Sequence, residues 1–252
     1  MTFLPLADTL LAAHRSATQT RYEAAFAPAG VAEAYRVQAE VAQALSAQAS
    51  GWKVGFRPDG RGAFAAPILS TGVVSSGARW RLGPGIGGVK IEAELAVRLG
   101  RDLPLHPGKP YTREDLLAAI DEIFVGIELV ASRFSNVDDV PFDARVADNF
   151  NNGAYVTSGG IKNFAGLDLS QIRCRLLVDG VVKNDRLGGH GDGDPLIPVV
   201  AWANVQAVAF GGLRAGQFIT TGTLNDPVPL NGPAKLEASL EGIGAVNVEI
   251  VV

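Results

Sequence analysis

One cysteine in 252 residues, Cys174, leaves no partner for an intrachain disulfide, and a reducing compartment is the simpler home for such a chain. Histidine is nearly as scarce. His14, His106 and His190 lie in helical, proline-rich and glycine-rich surroundings, and no pair has zinc-ligand spacing. No Gly-x-Ser-x-Gly elbow presents a serine nucleophile, which argues against covalent catalysis. The chain has no run of about 18 apolar residues to span a bilayer. Its start, Met-Thr-Phe-Leu-Pro-Leu-Ala-Asp, lacks the basic head and apolar stretch of a secretory signal, so a cytoplasmic protein is expected. Excess charge is also missing, since a net charge of −4 gives no reason to expect nucleic acid or a membrane as partner. The segment Gly83-Pro-Gly-Ile-Gly-Gly88 lacks the Gly-Lys-Ser/Thr and the helix that a phosphate loop requires.

What is present describes a globular protein with many tight turns: 47% hydrophobic residues, 19% charged and 30 glycines. Phe3, Leu6 and Leu10, then Ala34, Val37, Val41, Ala44 and Leu45, repeat at helical spacing, with Pro28 and Gly30 between them. Two N-terminal helices are expected, with an apolar face available for a homo-oligomer. From Gly51 the texture turns to short β-rich runs at 52–56, 89–99, 123–131, 154–157, 173–178, 218–221 and 246–252. Helices are expected at 112–120, capped by Thr112, and at about 195–208. Residues 57–88, rich in Gly, Pro, Ser and Arg, predict a long loop over a site. The class is therefore α+β, a single domain over 1–252 with a helical arm at 1–50 and a β-rich core at 51–252.

Chemistry concentrates in Val-Lys-Ile-Glu-Ala-Glu-Leu-Ala-Val-Arg-Leu, 89–99, where odd positions are apolar and 90, 92, 94 and 98 are charged. Period two places Glu92 and Glu94 on one face of a strand, about 7 Å apart by the rise of roughly 3.3 Å per residue. They can converge on one ion, or line the solvated face of an edge strand. Glu128 stands alone on the polar face of a second, nearly all-apolar strand. A carboxylate buried there needs a cation, a basic partner such as Arg133 or Arg145, or a raised pKa. Three glutamates would form an all-oxygen site suited to Mg²⁺, Mn²⁺ or Ca²⁺. Lys53 falls on the face of its short strand opposite Trp52, Val54 and Phe56. It is a surface lysine or, beside a metal, a proton donor or acceptor of lowered pKa. Asp148-Asn149 and the Thr220-Thr221-Gly222-Thr223 run suit hydrogen bonding to a small oxyanion, or serve as ordinary turns.

An ordered series ties these residues together: Ala34-Tyr-Arg-Val-Gln38, Gly51-Trp-Lys-Val-Gly55, Ile91-Glu-Ala-Glu-Leu95, Glu128, Val146-Ala-Asp-Asn149, Gly193-Asp-Pro-Leu196 with Ala201-Trp202, Thr221-Gly222-Thr223 and Glu241-Gly-Ile-Gly244. From about residue 31 onward the chain resembles the 2-keto-4-pentenoate hydratase and 4-oxalocrotonate decarboxylase family of the fumarylacetoacetate hydrolase superfamily. The resemblance implies a mixed-sheet β-roll core and Mg²⁺ or Mn²⁺ held by Glu92, Glu94 and Glu128. It also implies Lys53 as the active-site lysine, Asp148, Asn149, Gly222 and Thr223 as substrate-binding positions, and a homo-oligomer. The implied reaction is addition of water to a small 2-hydroxy-2,4-dienoate through its 2-oxo-3-enoate tautomer, in aromatic catabolism.

One departure matters. Such hydratases carry an acidic residue in a Pro-Asp-Phe/Tyr-Gly-like segment after the lysine strand, whereas this chain has Ala65-Ala-Pro-Ile-Leu69. That keeps two alternatives in view: a decarboxylase of a 2-oxo diacid such as 4-oxalocrotonate, which needs no water-activating base, and a non-catalytic oxo-acid-binding or accessory homologue.

Overall fold

The computed structural model describes residues 4–83, 88–106, 108–206, 211–230 and 232–251. Phe3, Pro84–Gly87 of the glycine-rich segment, 207–208 of the expected helix and Val252 of the last strand lie outside them.

Helix α1 (Pro5–Ser16) starts with proline at its first position, where a missing N–H costs nothing, and buries Leu6, Leu10 and Ala13. Helix α2 (Val31–Ala44) buries Ala34, Val37, Gln38 and Val41, and packs on α1. Both stripes join the main core. The apolar face expected to serve an oligomer is therefore used within the chain.

Strands β1 (Ala49–Phe56) and β2 (Ala63–Leu69) come next, followed by β3 (Val73–Ser75) and β4 (Arg79–Arg81). The long loop expected over 57–88 is corrected here, since the stretch contains three strands. Every residue of β2 is buried, so the apolar/polar alternation that reveals a half-exposed strand is absent. Pro67 obscures it further, and is tolerated because β2 is the edge of its sheet.

Strand β5 (Val89–Leu99) is followed by a short helix α3 (Arg113–Leu117), which ends before the expected 120. Thr112 caps it reciprocally, its hydroxyl accepting from Asp115 N at 3.2 Å while Asp115 Oδ2 accepts from Thr112 N at 3.0 Å. Strand β6 (Ile120–Val130), helix α4 (Phe142–Ala147) and strand β7 (Asn152–Ile161) follow. Strands β8 (Arg173–Val178) and β9 (Val181–Leu187) join through Asp179-Gly180, both at positive φ, a two-residue hairpin turn. Helix α5 (Ile197–Ala203), β10 (Phe218–Thr223), β11 (Val228–Leu230), β12 (Ala234–Leu240) and β13 (Gly244–Val251) complete the chain. The sequence reading lacks β9, an exposed edge strand with no apolar face. It also lacks β12, whose alternation is clear once 234–240 is aligned with its neighbours.

The architecture is α+β. A curled mixed sheet runs β2-β1-β10-β5-β6-β7-β3, with β11 also paired to β5, and a second sheet runs β4-β13-β12-β8-β9. The outer face of β5 and β6, carrying Ile91, Ala93, Leu95, Val97, Ile123, Val125, Ile127 and Leu129, packs on the second sheet. Trp52 on the outer face of β1 meets Trp202 of α5 at 6.4 Å between ring centroids. The opposite face is separate. Ile68, Ala96, Phe124, Tyr155 and Phe218 form a small aromatic plug there, and the same face carries the charged residues described next.

Candidate metal centre

Register brings the three glutamates together. Strands β5 and β6 pair antiparallel with Glu92 opposite Glu128 and Glu94 opposite Gly126, so Glu92, Glu94 and Glu128 share the inner face. One carboxylate oxygen from each lies within 4.8 Å of the others. Exposure falls along β5 from Lys90 through Glu92 to Glu94, so the cleft opens at Lys90 and deepens toward the plug.

Each carboxylate is held differently. Glu128 Oε1 accepts from Lys53 Nζ at 2.8 Å and from Asn152 Nδ2 at 2.8 Å, while its Oε2 is buried with no hydrogen-bond partner. Glu94 accepts a short hydrogen bond from the Thr220 hydroxyl. Burial raises the Glu92 carboxyl to about 7, with Lys53 pulling it down and Glu128 pushing it up. Burial, then repulsion from Glu128 and Glu92, pushes Glu94 well above the usual carboxylate range. A buried oxygen without a donor, beside two carboxylates that resist ionising together, is the environment a hard dication relieves. The residues fit such an ion.

Lys53 approaches the same carboxylates from β1. Burial lowers its pKa, while the charges of Glu128, Glu92 and Glu94 raise it, and in this metal-free cluster the net direction is above the ordinary lysine value. Its second hydrogen bond goes to the Phe150 carbonyl at 3.1 Å, and the Phe150 ring centroid lies 5.3 Å from Nζ. Asn149, Phe150 and Asn151 are three consecutive non-glycine residues at positive φ, a costly backbone that aims the Phe150 carbonyl at the ammonium.

Of the remaining expected positions, Gly222 lines the cleft, at φ +113°, and a Cβ there would stand 3.2 Å from His190 Nε2. That imidazole donates through Nε2 to the Thr221 carbonyl at 2.8 Å while Nδ1 accepts from Asp192 N, so the glycine-rich loop braces the strand. The Thr223 hydroxyl donates to the Asn225 carbonyl at 2.7 Å, and Asn225 Oδ1 in turn accepts from Ala93 N at 2.6 Å. Thr223 thus tethers β10 to β5. The side chains of Asp148 and Asn149 lie elsewhere. Asp148 is buried against Arg133, accepting from its Nε, from its backbone N at 2.9 Å and from the Ser132 hydroxyl at 3.0 Å. Asn149 lines a neighbouring cavity of about 280 Å³ with His14, Thr71 and Asn152. His14 is neutral there, burial and Arg133 holding its pKa at about 3. The structure thus gives Arg133 to Asp148 and Lys53 to Glu128; neither arginine considered for Glu128 reaches it.

Three residues absent from the sequence reading contribute, Asn152, Phe150 and Tyr155, while Thr220, expected to bond an oxyanion, donates to Glu94. The Tyr155 phenol is buried beside Glu94 and Thr220 without a well-formed hydrogen bond to either. It fits because position 126 is glycine; a Cβ there would lie 2.1 Å from the Tyr155 oxygen. The cleft itself, of about 400 Å³, has apolar walls at Val54, Phe56, Phe64, Val130, Phe150 and Pro227. Among its described lining residues Glu92 and Glu94 are the only carboxylates, and β2 presents Ala66 opposite Lys53.

Similarity to known proteins agrees with this geometry. The chain is 34% identical to the TodF product hydratase of Pseudomonas putida F1 over 157 residues, 62% of this chain and 57% of the relative. It is 33% identical to the 2-keto-4-pentenoate hydratase of Paraburkholderia xenovorans LB400 over 160 residues, 64% and 58% of the two chains. The chain therefore aligns with little more than half the length of these curated relatives. In fold it matches a solved structure of 4-oxalocrotonate decarboxylase from Pseudomonas putida G7, complexed with magnesium and adipate. That match has a TM-score of 0.85 and 24% identity, covering 98% of this chain and 97% of the other. Residues 33–251 match the model of the fumarylacetoacetate (FAA) hydrolase C-terminal domain, and the chain belongs to that family.

Proposed function

We propose that this chain is a single catalytic domain, a divalent-metal-dependent lyase that adds water to a small 2-hydroxy-2,4-dienoate, through its 2-oxo-3-enoate tautomer, to give a 4-hydroxy-2-oxo acid in aromatic catabolism. The observation that carries the reading is the cluster of three carboxylate oxygens within 4.8 Å, one of them on a glutamate whose other oxygen is buried without a partner. Glu92, Glu94 and Glu128 would hold Mg²⁺ or Mn²⁺, which as a Lewis acid polarises the 2-oxygen and stabilises enolate charge. Lys53, tied to Glu128, donates to the substrate carboxylate or delivers a proton. Val54, Phe56, Phe64 and Phe150 surround the carbon chain and exclude bulk water. Gly222 leaves room at the rim, and the backbone around Asn149 and Asp148 fixes the Phe150 carbonyl. A cytoplasmic homo-oligomer is part of the same proposal, the assembly motivated by the family resemblance and the compartment by a single cysteine with no intrachain disulfide partner.

A second reading, decarboxylation of a 2-oxo diacid, is favoured by one specific feature: no further carboxylate among the described lining residues is available to activate water. Incubation with 2-hydroxypenta-2,4-dienoate in ¹⁸O-water and with 4-oxalocrotonate, following label in the product and released CO₂ separately, divides the two. Metal-dependent incorporation of label at the 4-hydroxyl supports hydration; CO₂ release with no 4-hydroxylated product supports decarboxylation. Full turnover by Glu92→Gln and Glu128→Gln after exhaustive chelation would sink the metal assignment.

A further inference from the structure

We propose that the cavity of about 280 Å³ beside Asn149 is a binding site for a small uncharged molecule with a carboxamide head, and that its occupant tightens the metal centre next to it. The coupling rests on the metal reading above; the binding does not.

Three polar side chains from distant parts of the chain converge on this cavity with nothing to bond. His14 comes from α1, Thr71 from the turn between β2 and β3, and Asn149 from the turn between α4 and β7. None of the imidazole, the Thr71 hydroxyl and the Asn149 carboxamide has a hydrogen-bond partner among the described residues. Thr71 is exposed at the rim, where water can serve it, but Asn149 is only 5% exposed. Buried polar groups are ordinarily paired, so unspent ones around one space mark a place for a ligand.

Chemistry sets the class of that ligand. Burial, then the charge of Arg133, holds the His14 pKa at about 3, so the ring is neutral and offers one N–H and one bare nitrogen. Arg133 is itself closed by Asp148, and no charged side chain stands among the described lining residues. An ion here would find no counter-charge. A carboxamide carries a donor and an acceptor side by side, matching the neutral imidazole and the Asn149 amide, while Leu45 and Leu69 flank a short carbon chain.

Two routes lead from the cavity to the glutamates. Asn152 lines the cavity and donates through Nδ2 to Glu128 Oε1 at 2.8 Å. Asn149 opens the left-handed run 149–151, whose Phe150 carbonyl accepts from Lys53 Nζ at 3.1 Å. A ligand bonded to Asn149 fixes this turn before the metal arrives, which favours metal binding, and by linkage the metal favours the ligand equally.

The probes are propanamide and propanoate, alike in shape and different in charge. Each is titrated into metal-free protein while the ring signals of His14 and His190 are followed by NMR. His190 bonds Thr221 beside the glutamate cleft and is the control for binding there. Propanamide is expected to shift His14 saturably and leave His190 unmoved, with propanoate at least about 10-fold weaker at His14. Glycine accepts the φ of +47° at position 149, so Asn149→Gly removes only the carboxamide. It should weaken propanamide about 10-fold, and Thr71→Val about 3-fold, as loss of neutral hydrogen bonds allows. If Asn149→Gly fails to fold, Thr71→Val still decides. Calorimetric titration with Mg²⁺ should show about 5-fold tighter binding when propanamide is saturating. No saturable shift of His14, equal shifts by both probes, or full affinity in either folded variant overturns the site. Unchanged or weaker Mg²⁺ affinity with His14 saturated overturns the coupling. Failure to bind Mg²⁺ with or without propanamide overturns the metal reading and the coupling with it, while the His14 shifts still decide the site.

Discussion

Two buried ion pairs lie close together in this molecule, and they are built differently. Arg133 and Asp148 satisfy each other almost completely. Asp148 receives the Arg133 Nε, the Arg133 backbone N and the Ser132 hydroxyl, while the remaining guanidinium nitrogens reach the carbonyls of Asp148 and Asn152. Lys53 and Glu128 are left incomplete, with Glu128 Oε2 unpartnered and two more carboxylates within reach. A closed pair is a brace, whereas an open one has room for a ligand. Asn152 joins them, its carbonyl serving Arg133 and its amide serving Glu128, so the brace positions the site.

The difference is broken most forcefully by substituting one member of each pair. Glu128→Gln is expected to reduce metal-dependent turnover by at least roughly 100-fold, as loss of a ligand should exceed the effect of losing an outer contact. Its melting temperature in EDTA should fall by less than that of Arg133→Met, because loss of the Lys53 ion pair is partly offset by relief of repulsion from Glu92 and Glu94. Turnover assays and thermal melts would expose the opposite pattern. Arg133→Met should instead destabilise the fold by about 3–5 kcal/mol, since it strands a buried carboxylate. Chemical denaturation measures this, and a loss under about 1 kcal/mol would mean the pair is not the brace described here.

Asn152→Ala tests the link, with metal affinity expected to fall roughly 10- to 100-fold, the range for residues that orient a ligand. Unchanged affinity in a metal titration would make the two pairs independent. The open pair should also respond to pH. Glu92 is raised to about 7 from 4.5, so the folded metal-free protein holds that proton more tightly than the unfolded chain does. Its contribution to stability is full below about 4.5 and lost as pH rises through about 7. Glu94, raised in the same direction, extends the loss upward. Melting temperature in EDTA should therefore fall over this window, while stabilisation by added Mg²⁺ grows as metal displaces the protons. A metal-free protein that gains stability across the window would contradict the buried cluster. The smallest effect is expected for Tyr155→Phe, within about 1 kcal/mol, because the hydroxyl removed makes no well-formed hydrogen bond.

Particular residues show what could be read in advance. The period of two in 89–99 put Glu92 and Glu94 on one face, and the isolated carboxylate in β6 marked Glu128, because side-chain alternation is a property of the strand itself. Strand β8 carries the same local signal and lies where it was expected, at Arg173–Val178. Strand β2 does not, because burial on both faces erases alternation. Asp148, read with Asn149 as a pair suited to a small oxyanion, is instead closed against an arginine. Its partner Arg133 lies 15 residues earlier in the chain, a pairing that no local periodicity encodes.

By itself the sequence determined the α+β class, the inward face of β5, the glutamates, the lysine and the family. Each is encoded in local periodicity or in an ordered set of motifs. Only the tertiary structure decided which cation meets which carboxylate, that Lys53 faces three carboxylates, that Asn152 joins brace to site, and that His14, Thr71 and Asn149 line one cavity. Those outcomes depend on strand register and on distances across the curled sheet, where residues far apart in the chain set one another's burial and charge.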